Sequence, residues 1–459
     1  MKQLSQEMQD LLSRSMDSHV RIAVTGLSRA GKTAFISSLV NQLLHASTHE
    51  ALPLLEASRE KRIIGARREP QTNLMVPRFA YDEAMRALYA EQPDWPLPTR
   101  DVSEIRLALK YKPKKRSKKL LGSSATLNID IIDYPGEWLL DLPLLEMDFD
   151  QWSEQQFAAL KGERAQLAEP WLSQLAQFSP QANADEDQLA ALSAAYTDYL
   201  HACKAAGLHW VQPGRFVLPG DLTGAPVLQF FPYVEKEQGK QVNKDSQLAM
   251  LRARYHEYQT KVVKAFYKHH FATFDRQIVL VDCLQPLNAG ADAFHDMRGA
   301  LEQLMGSFRY GKSHLLRRLF SPTIDKILFA ATKADHVTPD QHPHLVSLLG
   351  QMVYPAWQVT TFENIEMQCL SIASVQATQP GFVTKAGTSY PALRGVDLGG
   401  EPQTLYPGEV PRKLPDASYW QQHGFEFTEF RPQKAQLDAP LPHIRMDKVL
   451  QFLLGDKLK

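Results

Sequence analysis

An α/β fold with a mostly parallel sheet, carrying an inserted mainly helical domain, is what this sequence predicts. Three observations lead there. Apolar stretches of strand length alternate with amphipathic stretches of helical period, the pattern of a sheet covered on both faces. A glycine-rich turn joins the first strand to the first helix. Residues 138–243, helical by pattern in their first half, interrupt the alternation.

The first strand and turn read Val20-Arg21-Ile22-Ala23-Val24-Thr25-Gly26-Leu27-Ser28-Arg29-Ala30-Gly31-Lys32-Thr33. The turn fits G-x-x-x-x-G-K-[ST], and its strand and helix flanks are of the type that the phosphate cradle needs. Backbone amides of Ser28, Arg29, Ala30, Gly31, Lys32, Thr33 and Ala34 are expected around phosphate oxygens, at the positive end of a helix over roughly 32–44. Lys32 is expected to reach the outer phosphates. The Thr33 hydroxyl is expected on Mg²⁺.

Residues 47–102, of mixed polarity and rich in proline, read as a long, partly helical connection. Alternation then marks strands over 103–110 and 126–132, separated by a basic run, Lys110 to Lys119. Within the insertion, Leu189, Leu192, Tyr196, Tyr199 and Cys203 share one helical face, while 215–233 reads as loops with short strands. A long amphipathic helix is expected over 246–272. Strands follow at 277–281, 326–331 and 365–371, with helices near 291–305 and 341–353. Residues 379–440 carry many Pro and Gly and read as irregular or short-stranded, and Met446, Val449, Leu450, Leu453 and Leu454 mark a last helix.

Two strand ends carry chemistry. Asp133-Tyr134-Pro135-Gly136 follows the second alternating strand. A carboxylate there can hold a Mg²⁺ water, and the Gly136 amide can meet a γ-phosphate that hydrolysis removes. Thr332-Lys333-Ala334-Asp335 follows another apolar strand. Asp335 can accept two hydrogen bonds from guanine, a pattern adenine does not offer, and the Lys333 stem can lie over the base.

These three motifs, in this order, resemble the G1, G3 and G4 elements of Ras-like GTPases. The wider chain resembles the YcjX-like family of bacterial stress-associated P-loop proteins, often encoded beside phage-shock genes. Gly26 to Thr33, Asp133 to Trp138, Val281-Asp282-Cys283-Leu284 and Ala373 to Thr378 carry that likeness. The resemblance implies a Ras-like G domain with an added helical domain, GTP and GDP as ligands, and Mg²⁺-dependent hydrolysis. It implies little about the cellular target; the expected partner is an unidentified protein effector, either a stress-response protein or a phage-shock-linked membrane protein.

The likeness calls for further residues. Ala373-Ser374-Val375 is the first choice for backbone contact with the guanine oxygen, and Ala377-Thr378 is the rival. Thr72 is the candidate for the second Mg²⁺ hydroxyl. Arg68 is either an arginine acting in cis on the transition state or a solvated loop residue. Glu137 stands where relatives place a water-orienting glutamine, and Ser28 stands where many have glycine. Both departures point to slow intrinsic hydrolysis. They keep open a second reading, a nucleotide-stabilised scaffold with negligible hydrolysis.

The expected segments are residues 1–137 (first part of the G domain), 138–243 (helical lobe), 244–378 (second part), 379–443 (irregular insertion) and 444–459 (last helix). Lys+Arg and Asp+Glu both total 51, and the basic run, seven cations in ten residues, holds a single aromatic, so no nucleic-acid partner is expected. That run is either a solvated hairpin tip or a lipid contact. The three cysteines, Cys203, Cys283 and Cys369, stand far apart, and no histidine pair has zinc-site spacing. No apolar run approaches the ~20 residues of a membrane span. The expected place is the cytoplasm, with peripheral attachment at the inner membrane as an alternative, since Leu4, Met8, Leu11 and Leu12 share a helical face. Gly306 to Ser313 also spells a P-loop, but a helical segment precedes it where a strand is required.

Overall fold

A computed structural model of the chain describes residues 19–27, 29–99, 101–114, 124–235, 243–307, 324–362, 365–385, 387–416, 418–422 and 428–459. The face of Leu4 to Leu12, Ser28, residues 115–119 of the basic run and residues 308–313 of the second P-loop spelling lie outside them. The described chain divides into two units. The first comprises Met1–Tyr134, Phe274–Asn288 and Thr323–Lys459, and the second Pro135–Thr273 and Ala289–Pro322.

The first unit is α/β. Its sheet contains β1 (His19–Gly26), β2 (Ile63–Glu69), β3 (Ser103–Tyr111), β4 (Ala125–Asp133), β5 (Arg276–Val281), β6 (Lys326–Ala331) and β7 (Glu366–Ser371), in the order β2-β3-β4-β1-β5-β6-β7. β4, β1, β5, β6 and β7 are parallel to one another. β3 runs antiparallel to β4, and β2 antiparallel to β3. β5 is buried along its whole length, which is why Gln277–Val281 reads as a continuous apolar run apart from its first residue. The helices Lys32–His45 and Met446–Leu454 share a core with Ile22, Val24, Ile129 and Leu280. Phe35, Leu39, Val449, Leu450 and Leu453 are fully buried there. Each such side chain contributes roughly 1.5–3 kcal/mol by leaving water.

The sequence does not announce β2, which lies within the stretch read as a partly helical connection. Its residues after Ile63 and Ile64 are Gly65-Ala66-Arg67-Arg68-Glu69, half-buried to exposed, so no alternation of apolar residues marks it. Charges of this kind suit an edge strand, which must resist pairing with another chain.

The late insertion forms a small antiparallel sheet of β8 (Gln379–Lys385), β9 (Thr388–Val396) and β10 (Pro402–Leu405), ordered β10-β9-β8.

Among its described residues the second unit holds helices and no strand. The short strands expected over 215–233 are instead a helical turn, Gly214–Val217, and two 3-10 turns, Gly220–Leu222 and Pro226–Leu228. The expected long helix is present as Gln247–Glu257, a π-helical stretch Tyr258–Val263, and Lys264–His269. Ser246 caps it by accepting the Ala249 N–H at 3.2 Å. The sequence places this helix in the second part of the G domain, but it belongs to the helical unit. The reason is aromatic packing: Tyr255 stacks on Trp152 at 5.2 Å, and Tyr258 meets Phe230 at 5.4 Å.

Candidate functional site

Parallel strands end on the same side of a sheet, and ligands of open α/β sheets bind outside those carboxyl ends. Residues 26–33 close β1, Asp133 ends β4, Asp282 follows β5, Thr332–Asp335 follows β6 and Ala373–Val375 follows β7. The antiparallel β3 starts on this side too, since Ser103 lies opposite Asp133. The residues before β3 are thereby delivered to the same edge. A cleft of about 460 Å³ opens there, walled by Arg29–Ala34, Thr99, Lys333, Asp335, Ala373–Val375 and Phe430, among others.

At one end of the cleft the backbone does the work. A Cβ on Gly26 would lie 2.8 Å from the Leu280 carbonyl, so only glycine lets the turn leave β1 beside β5. Arg29 and Gly31 take positive φ angles of 62° and 80°. No side chain caps the helix that begins at Lys32, and its first N–H to find a helical acceptor is that of Phe35, on the Gly31 carbonyl. The N–H groups of Lys32, Thr33 and Ala34 precede that bond, as the first donors of any helix do. This is an anion-binding geometry.

Thr33 Oγ1 lies 3.2 Å from Thr99 Oγ1. Asp133, 1% exposed, ends β4 one strand away, in register with Val24 of β1. Two hydroxyls and a carboxylate are hard oxygen donors of the kind Mg²⁺ takes together with phosphate oxygens and water. Thr33 and Thr99 line the cleft, whereas Asp133 is not among its lining residues, so the donor types suit that ion and the strand register alone brings the carboxylate to the same sheet edge.

The other end is assembled from distant segments. Lys333 has a φ of 58°, and its Nζ lies 2.7 Å from Asp282. Burial alone would raise the Asp282 carboxyl; the Lys333 ammonium and the N–H groups of Gln285 and Leu284 hold it below its ordinary value. Val281-Asp282-Cys283-Leu284 thus acquires a role that its spelling did not reveal, fixing the lysine that precedes Ala334 and Asp335. Asp335 is 4% exposed. Its Oδ2 accepts the N–H groups of Ala377 at 2.7 Å and Thr378 at 3.3 Å, and its Oδ1 lies 3.2 Å from His336 Nδ1. Burial again works against the charge, and His336 with the two amides outweighs it, so the carboxyl sits below its ordinary range. Both rival loops meet this end: Ala373–Val375 lines the cleft, while Ala377-Thr378 orients the aspartate.

Some expected residues stand elsewhere. Thr72 is exposed in the turn after β2 and does not line the cleft. β2 is three strands from β1, roughly 14 Å at ordinary strand spacing, and the nearer threonine is Thr99. Arg68, in β2, donates to Asp82 at 2.8 Å and lies over the Tyr81 ring at 5.1 Å, likewise away from the cleft lining.

Gly136 and Glu137 open a short helix, Gly136–Leu139, of the second unit. There the Glu137 carboxylate pairs with Lys204 at 2.7 Å, and a Cβ on Gly214 would overlap the Glu137 carbonyl. Arg215 lies over the Trp138 ring at 3.2 Å. Burial pushes the Asp141 carboxyl up to about 7, against the Tyr258 hydroxyl and the Gly214 N–H that favour its charge.

Trp95, Thr99, His336, Glu429 and Phe430 line the cleft and were not singled out from sequence. For Thr99, the available signal is its place four residues before an alternating strand. Phe430 offers none.

A protein of Escherichia coli (strain K12) named "Ras-like GTPase YcjX" is 55% identical over 465 residues, covering 100% of both chains. One of Shewanella oneidensis with the same name is 44% identical over 477 residues, covering 99% of this chain and 98% of the relative. Residues 20–458 match the family described as YcjX-like family, DUF463, and the chain belongs to that family.

Proposed function

We propose that this chain binds GTP and GDP in the cleft, with Mg²⁺, and hydrolyses GTP slowly as a molecular switch of the bacterial stress response. The observation that carries the reading is the convergence of the β1 turn, Thr99, the β6 turn and the β7 loop on one cleft. Its relatives' name, Ras-like GTPase, supports the same reading.

In this reading Lys32 and the amides of Arg29–Ala34 hold the phosphates and offset the charge that builds up as water attacks in line. Thr33 and Thr99, with Asp133 at the end of β4, would hold the metal, which would supply charge neutralisation at the phosphates. Asp335 selects guanine, with Lys333 along the base and Ala373–Val375 beside the guanine oxygen. Gly136 and Glu137 enter through the order of the D-x-x-G turn alone. The chain passes into the helical unit directly after Tyr134. A protein effector reading that domain, in the cytoplasm or at the inner membrane, completes the proposal.

A scaffold with negligible hydrolysis is the second reading. The Glu137–Lys204 pair favours it, because a carboxylate engaged by an ammonium is a poor orienter of water. Titration with GDP, ADP and GTP, followed by single-turnover phosphate release, separates the readings. Submicromolar GDP binding with measurable release supports the switch, and binding without release supports the scaffold. Equal affinity for ADP and GDP overturns guanine selection.

A further inference from the structure

The late insertion contributes to the cleft as well as to its own small sheet. Phe430 lines the cleft beside Asp335 and His336, its ring centroid 5.6 Å from that of His336. Its seat is made by β9: a Cβ on Gly395 would lie 2.6 Å from the Phe430 ring, and the following residue, Arg431, donates its N–H to the Val396 carbonyl at 2.8 Å. Opposite stands Trp95, whose indole N–H donates to the Phe430 carbonyl at 2.8 Å. The Trp95 ring packs on a small apolar cluster of Leu88, Val375 and Leu441, and Val375 belongs to the loop after β7.

Trp95 and Thr99 are four residues apart on one segment. That segment therefore touches Thr33 at the phosphate end and Phe430 at the other. The loop after β7 is also backed by the returning chain: Gln433 donates its N–H to Gln376, and Ala373 and Ile444 exchange backbone hydrogen bonds. The walls of the base end are tied together by residues that no nucleotide motif contains.

We propose that Trp95 and Phe430 form a clasp across the base end of the cleft, which sets how fast a bound guanine nucleotide leaves. The inference rests on the guanine-nucleotide reading above. Phe430 is 1% exposed, its ring packed against Gly395 and His336, so it acts on the base through the wall it backs, and the Trp95 indole N–H fixes that wall by its bond to the Phe430 carbonyl; both are positioning residues. Losses at such contacts fall mainly on dissociation.

The test uses the full-length protein loaded with the fluorescent analogue mant-GDP and chased with excess GDP in a stopped-flow instrument. Trp95→Phe keeps the ring and removes the donor; release is expected to quicken about three- to tenfold. Phe430→Ala, which empties the space between Gly395 and His336, is expected to quicken it about tenfold, and Phe430→Leu, which keeps apolar volume, by less. Inhibition by inorganic pyrophosphate, which fills only the phosphate end, should stay within about twofold, whereas general damage to the fold would weaken it equally. Release at the wild-type rate in the Trp95 and Phe430 variants overturns the clasp alone. Parallel loss of pyrophosphate inhibition also overturns it. Failure of the wild type to bind mant-GDP overturns the guanine reading itself.

Discussion

The two ends of the cleft are built by different means. The phosphate end is local: the positive-φ residues Arg29 and Gly31 and the uncapped start of the helix Lys32–His45 follow one another along the chain. The base end gathers Trp95, Asp335, Val375 and Phe430, which lie on four separate segments. A local site survives changes far away in the chain, and its sequence declares it. A gathered site depends on the packing of each contributor, and its sequence declares only the part that follows a strand.

The largest expected effect is at the local end. Lys32→Ala removes charge-assisted contacts to phosphate and should weaken GTP and GDP alike by about 100-fold or more, measured by calorimetric titration. If the loss were confined to one base, the division between the ends would fail. Asp335→Asn should act on the base alone, turning preference from guanosine toward xanthosine nucleotides by about 100-fold in relative affinity. Binding of pyrophosphate by that variant checks that the phosphate end is intact.

Thr99→Ala should slow single-turnover hydrolysis about tenfold through the lost metal hydroxyl, while Thr72→Ala leaves the rate unchanged. The reverse result would return the metal role to Thr72. The smallest effect is one of pH. The Asp335 carboxyl lies below its ordinary value, so it is charged throughout the neutral range, and its contribution is lost only as pH falls through that lowered value. GDP affinity relative to ADP should therefore vary by less than about twofold between about pH 5 and 8. A steep fall near neutrality would mean that the amides of Ala377 and Thr378 do not hold the charge.

Much of the first unit was legible because its rules are short-range. The β1 turn, Asp133 and Thr332–Asp335 follow from the spacing of a strand, a turn and a few residues. Thr72 serves as the second metal threonine only while β2 goes unseen: with that charged edge strand in place, the chain reaches β3 one strand later than the sequence suggests. Phe430 was hidden for another reason. Its place depends on Gly395, thirty-five residues earlier, and on Trp95, more than three hundred residues earlier. The long helix 246–272 is recognisable as a helix, but its company is not, since an apolar face records that a partner exists and not which one.

Gly395 does not itself line the cleft, yet the Phe430 ring fills the space where its side chain would be. A methyl group added at that one position must push the ring from its seat. The small antiparallel sheet thus acts as a set screw on nucleotide residence time, adjustable from outside the cleft without altering a single atom that meets phosphate or metal.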